Sequence, residues 1–147
     1  MKPWHIRPLE ERDHPAAVEL LALLNPEIPT PVVAERFERI LDEHPHYQAF
    51  GGFAGDEMVA LAGAWVATKV WCGRYLEIDN IVVSPDHRSG GYGSRMIQHL
   101  EALAKEELCE IIVLDSYTSN HASHRLYHRL GFEIFGFHFV KSVPQTP

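Results

Sequence analysis

The sequence predicts a mixed α/β protein, one sheet covered by helices, and three observations carry that prediction. Apolar residues recur at helical spacing in four stretches. Between those stretches they alternate or run together over strand lengths, and Gly, Pro, Asn or Asp punctuates most of the changes. The resulting order, βααβββαβαβ, fits neither a sandwich nor a bundle. At 147 residues, with 46% apolar and 22% charged side chains, the composition is that of a globular protein. A chain this long buries roughly 70% of its unfolded surface, enough for a core without staples. Residues 1–143 are therefore expected to form one domain, and 144–147 a disordered tail.

Residues 4–7 read as a short strand closed by Pro8. Asp13-His14-Pro15 opens a helix, with Asp13 as N-cap and Pro15 tolerated in the first turn. Its apolar stripe is Ala17, Leu20, Leu21 and Leu24, and Pro26 stops it. Thr30-Pro31 starts a second helix in the same way, with Val33, Phe37, Ile40 and Leu41 at helical spacing. After His44-Pro45 the period becomes that of strands, and residues 47–54 and 58–70 flank a turn at Gly55-Asp56-Glu57. Residues 73–83 follow, their alternation placing Tyr75, Glu77, Asp79, Ile81 and Val83 on one face. A glycine-rich loop leads into a long amphipathic helix with Met96, Ile97, Leu100, Leu103, Ala104 and Leu108 on its apolar side. Residues 111–114 form a continuous apolar run, expected to be a strand buried on both faces. Residues 120–130 are helical, Gly131 closes that helix, and residues 132–143 supply one or two last strands.

Charge and cysteine content exclude several functions. A net charge of −7 argues against general binding to nucleic acid or an anionic membrane, both of which reward a basic surface. Cys72 and Cys109 are too few for a disulfide scaffold and suit a reducing compartment. The start lacks the apolar core of a signal peptide, and no run approaches the roughly 18 apolar residues of a membrane span. A cytoplasmic location is expected.

The densest local signal spans residues 82–94, where a strand runs through Arg88-Ser89-Gly90-Gly91-Tyr92-Gly93-Ser94 into a helix. The glycines let the backbone turn sharply and approach a ligand closely. Free amides at the helix start, with the positive end of its dipole, favour an anion such as pyrophosphate, and Arg88 adds a forked cationic donor. A nucleotide-triphosphate loop would need Gly-Lys-Ser/Thr, but Gly93 is followed by Ser94-Arg95. The dinucleotide fingerprint would need a third glycine where Met96 stands.

Arg88-x-x-Gly91-x-Gly93 does fit another pattern. It resembles the acyl-CoA loop of the GCN5-related N-acetyltransferase (GNAT) superfamily, as Arg-x-x-Gly-x-Gly. A second block, Asn120-x-Ala122-x-x-x-Leu126-Tyr127-x-x-Leu130-Gly131-Phe132, is similar to the family's second CoA signature. The resemblance implies a mixed, mostly antiparallel central sheet flanked by helices, the GNAT-like acyl-CoA N-acyltransferase fold. It also implies acetyl-CoA as co-substrate. The pantetheine arm would pair along Ile81, Val82 and Val83, and the pyrophosphate would rest on the amides of Arg88, Ser89, Gly90, Gly91, Tyr92, Gly93 and Ser94. Asn120 would touch the cofactor and Tyr127 would point at its sulfur. Acetyl would pass directly to an amine, with no acyl-enzyme. In some family members the C-terminal end packs against a second subunit, so a homodimer is included in the expectation.

The chemistry explains why such groups are needed. An alkyl amine of pKa about 10.4 is a free nucleophile in only about one molecule per thousand near pH 7.4, which costs about 4 kcal/mol unless a base takes the proton. A departing thiolate leaves more readily when protonated, and tyrosine is a competent donor at neutral pH; this makes Tyr127 the candidate acid. The resemblance implies Glu77 as the first candidate base, at the place of the base in the histone-acetylating branch of the family, and Asp79 as the second, where the polyamine-acetylating branch has a carboxylate; they stand two residues apart on one strand face, about 7 Å from each other. Like charges that close would raise one of the two pKa values, which suits a base. Asp115, at the end of the next strand, matches a third site used by ribosomal-protein acetyltransferases in the family. The acidic pair favours a cationic acceptor: a polyamine, an aminoglycoside-like amine or a lysine side chain.

Other constellations are weaker. His121, His124 and His128 could share a helix face, but no cysteine or carboxylate with zinc-ligand spacing accompanies them, and no metal is expected. Trp4, Trp65 and Trp71 read as core or edge packing. A rival function is a non-catalytic acyl-CoA-binding sensor or scaffold; a third differs only in its acceptor, a hydroxyl in place of the amine.

Overall fold

Five strands, β1 (Trp4–Pro8), β2 (Tyr47–Ala54), β3 (Glu57–Lys69), β4 (Gly73–Val83) and β5 (Ile111–Leu114), form one sheet in chain order. The computed structural model describes residues 3–146. The first three pairings are antiparallel and the last, β4 with β5, is parallel. Antiparallel neighbours need only tight turns. Gly55 at φ +63° begins the two-residue turn between Ala54 and Glu57, where the positive φ matches the twist of the hairpin. A parallel step needs a crossover, supplied by a helix. The helices are α1 (His14–Leu24), α2 (Thr30–Glu43), α3 (Tyr92–Glu106), which makes that crossover, and α4 (His121–Arg129).

Strand alternation sorts the two faces. Ala17, Leu20 and Leu21 of α1 and Val33 and Phe37 of α2 pack with Tyr47, Ala49, Leu61 and Val82 into one buried cluster. Neighbouring strand positions point the other way, where Phe50 meets His99 of α3 with ring centroids 5.0 Å apart. Met96, Ile97 and Leu100 of α3 are fully buried there. The sheet is thus mixed, mostly antiparallel and flanked by helices. The chain divides after Leu114 into two compact units; the second holds α4 and the residues that follow it.

Five local expectations change. Asp13 does not cap α1. Its carboxylate accepts from both Arg7 terminal nitrogens, at 2.6 and 3.0 Å, and from the Glu10 amide at 2.8 Å, because a buried anion is best satisfied by charge-assisted bonds. β4 does not alternate throughout. Asn80 sits at φ +56°, and Asn80 and Ile81 together face Ala62, so Val82 rather than Ile81 or Val83 shares the face of Glu77 and Asp79. β5 is half-buried and, among the described residues, pairs with β4. Leu108 is exposed at φ +59°, past the last turn of α3. Residues 132–143 form no strand: the apolar alternation is present, but a strand also needs a hydrogen-bonded partner, and Phe137, Phe139 and Val140 remain exposed. Residues 144–146 carry no regular structure, and Met1, Lys2 and Pro147 lie outside the described residues.

Candidate active site

The strand-to-helix loop is built for an anion. Ser84 closes β4 by donating its amide to Val59 O at 2.7 Å, and the chain then makes a single 3-10 turn at Pro85–His87. Ser89 at φ +75° and Gly91 at φ +78° turn the backbone into α3. Arg95 is the first residue whose amide bonds back within the helix, to Gly91 O at 3.1 Å. The amides of Tyr92, Gly93 and Ser94 therefore stand at the helix start without intrahelical acceptors, and no side chain caps them. A Cβ at Gly91 would meet nothing within 4 Å among the described residues.

Two further features mark the loop. Nδ1 of His87 is buried without a hydrogen-bond partner among the described residues. The Tyr92 ring is held by Trp4 at 4.5 Å, and Arg95 lies 5.9 Å above the Trp4 ring. Trp4, read from sequence as packing, thus supports the loop. Arg88 is exposed, its Nε 3.5 Å from Val83 O. Uncapped amides and adjacent cationic side chains fit the pyrophosphate and phosphate groups of CoA.

Ahead of the loop, β5 ends opposite Ile78 of β4. β5 pairs only with Tyr75, Leu76, Glu77 and Ile78 of β4. The edge of Asp79, Asn80, Ile81, Val82 and Val83 that faces away from β3 therefore has no strand partner in the sheet, and its backbone groups can pair with an extended amide-bearing chain such as pantetheine. The bulge at Asn80 lies just past the last β4–β5 pair, Ile78 with Leu114.

Both carboxylates lie at this point. Glu77, half-buried, stands opposite Trp65 on one side and Val113 on the other. Asp79 stands opposite Gly63, and its Oδ2 accepts the Trp65 indole N–H at 2.9 Å. Gly63 has a spatial reason, since a Cβ there would fall on the Tyr47 hydroxyl. Burial, with the Asp79 charge added, pushes the Tyr47 phenol well above its ordinary range, so it stays neutral. Tyr47, His44 and His46 pack on Trp65 at 4.7, 5.2 and 5.2 Å between ring centroids. Sequence reading missed this aromatic support, because its members join across strands and no spacing links them. Its one local trace is a glycine inside the long apolar strand β3.

In the second unit, Asn120 is the N-cap of α4, its side-chain oxygen 3.4 Å from the Ser123 amide. Tyr127 is half-buried. Burial raises its phenol above the ordinary value, opposed by a hydrogen bond with Ser123, so the proton is held at neutral pH. Gly131 at φ +94° ends the helix as expected, and the Phe132 amide returns to Tyr127 O at 2.9 Å. Asp115, the third candidate base, is exposed and lies 3.1 Å from His138 Nδ1. His124 and His128 each place a ring nitrogen on a backbone oxygen, of Tyr117 and Phe132 respectively.

Comparison with known proteins bears on the fold and the family. The model of the acetyltransferase (GNAT) family matches residues 8–132. The uncharacterized N-acetyltransferase YhdJ of Bacillus subtilis (strain 168) is 24% identical over 141 residues, which are 95% of this chain and 99% of YhdJ. Among solved structures, aminoglycoside N-acetyltransferase AAC(6')-Iy in complex with CoA aligns with a TM-score of 0.84 at 20% identity, over 97% of this chain and 96% of that one. Glucosamine-6-phosphate N-acetyltransferase from Arabidopsis thaliana aligns with a TM-score of 0.75 at 21% identity, over 97% of this chain and all of its own. At such identities these structures establish the shared fold. Among the described residues, no helix is long and apolar enough to cross a membrane.

Proposed function

The chain belongs to the GNAT acetyltransferase family and is an acetyl-CoA-dependent N-acetyltransferase, and from that premise we propose that its acceptor is a cationic primary amine: a polyamine, an aminoglycoside-like amine or a lysine side chain. The observation that carries the reading is the position of Glu77 and Asp79 on one face of β4 at the end of its pairing with β5, ahead of a helix start with uncapped amides. Two carboxylates on one sheet face attract an ammonium and can relieve it of a proton.

In this reading the residues around Arg88 and the amides of Tyr92, Gly93 and Ser94 hold the phosphates of acetyl-CoA, Ile81, Val82 and Val83 pair with its pantetheine arm, and Asn120 touches it. Glu77 takes a proton from the acceptor ammonium, and the freed nitrogen bonds to the thioester carbonyl carbon. The carbon–sulfur bond breaks and the sulfur takes the Tyr127 hydroxyl proton, giving the N-acetyl amine and the CoA thiol. As the tetrahedral adduct collapses, the nitrogen's second proton passes through solvent to the Tyr127 phenolate, and Glu77 releases the first proton to solvent, so one proton is liberated per turnover. Residues 1–143 act as one catalytic domain.

Thiol release from acetyl-CoA, measured against polyamines, aminoglycosides, amino acids and lysine peptides, tests the proposal. Release above the no-acceptor rate with one cationic class supports it. Silence with every amine, in a chain that binds acetyl-CoA, would favour a binding module instead.

A further inference from the structure

Tyr47 of β2 crosses the neighbouring strand to reach β4. It stands opposite Trp65 of β3, yet its ring leans two positions along that strand and lies over Gly63, where a Cβ would fall on its hydroxyl. Gly63 is paired in turn with Asp79, so the hydroxyl arrives where β4 leaves regular pairing. There the register shifts, and Asn80 takes φ +56°. The Asn80 side chain hydrogen-bonds the Tyr47 oxygen. Left-handed backbone is unfavourable for a residue with a side chain, and asparagine tolerates it best when its polar group finds a partner. Tyr47 is buried, so its oxygen needs a partner as well. The contact serves both ends. Beyond it, Ile81, Val82 and Val83 lie past the last β5 pair, Ile78 with Leu114. One extra residue decides which way each backbone group of this stretch points, so whatever holds the bulge also sets the edge offered to an extended ligand.

We propose that Tyr47 is a positioning residue for the co-substrate: through Asn80 it locks the bulge of β4 and so aims the backbone groups of Ile81, Val82 and Val83 at the pantetheine arm of acetyl-CoA. This rests on the pantetheine pairing in the reading above. Tyr47 acts through Asn80 and not on the reacting atoms. Its effect therefore falls on the part of the co-substrate that lies along the strand. The phosphates are spared, because the uncapped amides at the start of α3 hold them.

The test is calorimetric titration of the full chain with acetyl-CoA and with 3'-phospho-ADP, which carries the phosphates of CoA but no pantetheine arm. Tyr47→Phe keeps the ring over Gly63 and removes the hydroxyl. It should weaken acetyl-CoA binding about fivefold and leave 3'-phospho-ADP affinity in place. Asn80→Ala, which leaves the Tyr47 side chain whole, should reproduce that difference between ligands even if Tyr47→Phe folds poorly. Asn80→Gly keeps the left-handed backbone without the side chain. Added to Asn80→Gly, Tyr47→Phe should cost no further acetyl-CoA affinity, because the contact it removes is already gone. An unchanged acetyl-CoA affinity in both Tyr47→Phe and Asn80→Ala overturns the proposal. Equal losses for the two ligands overturn it in favour of a general loosening of the sheet, and losses that add in the double variant show Tyr47 acting elsewhere.

A second readout needs no ligand. In a nitrogen–proton correlation spectrum, Tyr47→Phe should move the backbone amides of Asn80, Ile81 and Val82 more than those of Tyr75 and Leu76 on the same strand. Unmoved amides at 80–82 defeat the proposal by themselves. Equal affinity of the wild-type chain for acetyl-CoA and 3'-phospho-ADP defeats instead the pantetheine pairing on which it rests.

Discussion

Tyr127 illustrates how a single side chain is prepared for its proposed task. Burial holds its proton more tightly than in water, so the hydroxyl is present as a donor throughout the neutral range. Its loss in alkali should come above the ordinary tyrosine value of about 10 rather than below it. Tyr127→Phe should slow thiol release about a hundredfold while calorimetric affinity for acetyl-CoA is retained; full turnover in this variant would remove Tyr127 from the acid role. Gly63 works through space rather than charge. Gly63→Ala places a methyl group on the Tyr47 hydroxyl, and this overpacking should cost about 1–3 kcal/mol in urea unfolding. Equal stability of the two forms would show that Tyr47 can move aside. The sequence made Glu77, Asp79 and Tyr127 legible as chemistry, but gave no sign of Trp65 as the partner of Asp79, because that bond joins residues 14 apart on paired strands.

At the scale of elements, the join between β4 and α3 carries the anion site. Gly91 there has a conformational reason alone: φ is +78° and a Cβ would touch nothing. Gly91→Ala should therefore weaken acetyl-CoA binding by distorting the loop, at a strain of about 1–2 kcal/mol, with little loss of core packing. Titration calorimetry and thermal unfolding together check this, and unchanged affinity would show that the loop tolerates a side chain. The glycine-rich loop and long helix were readable locally because both depend on neighbours in the chain. The bulge in β4 does not follow from alternation, although an asparagine inside a strand is a signal for left-handed backbone. Strict alternation gave the wrong face for Ile81 and Val83 because one extra residue reverses all that follow.

For the molecule as a whole, two groups tie stability to pH in the same direction. Burial against Phe50 lowers the pKa of His99, so its contribution is present above the ordinary histidine value of about 6.5 and is lost as pH falls through the lower folded value. Hydrogen bonding to Arg7 lowers the pKa of Asp13, whose contribution is present above about 3.9 and is lost as pH falls further. Acid unfolding should thus proceed in two stages. His99→Leu should flatten stability as pH falls below about 6.5, and Asp13→Asn should cost about 1.5–3 kcal/mol at pH 7. Urea melts across pH test both, and an unaltered slope in His99→Leu would remove that residue from the acid response.

What the sequence determined by itself was whatever depends on near neighbours. The helical stripes of α1, α2 and α3, the hairpin turn at Gly55, the glycine loop and the helix end at Gly131 all follow from backbone sterics and local periodicity. Tertiary structure decided the partners. It took the Asp13 side chain from a helix cap to Arg7, set Asp79 against Trp65 and reversed the faces beyond Asn80, and residues 132–143 carry no strand. The reason is physical. A carboxylate, an indole or a run of strand-forming residues carries its bonding capacity in its own chemistry, but which donor, ring or strand meets it is fixed only when distant parts of the chain pack together.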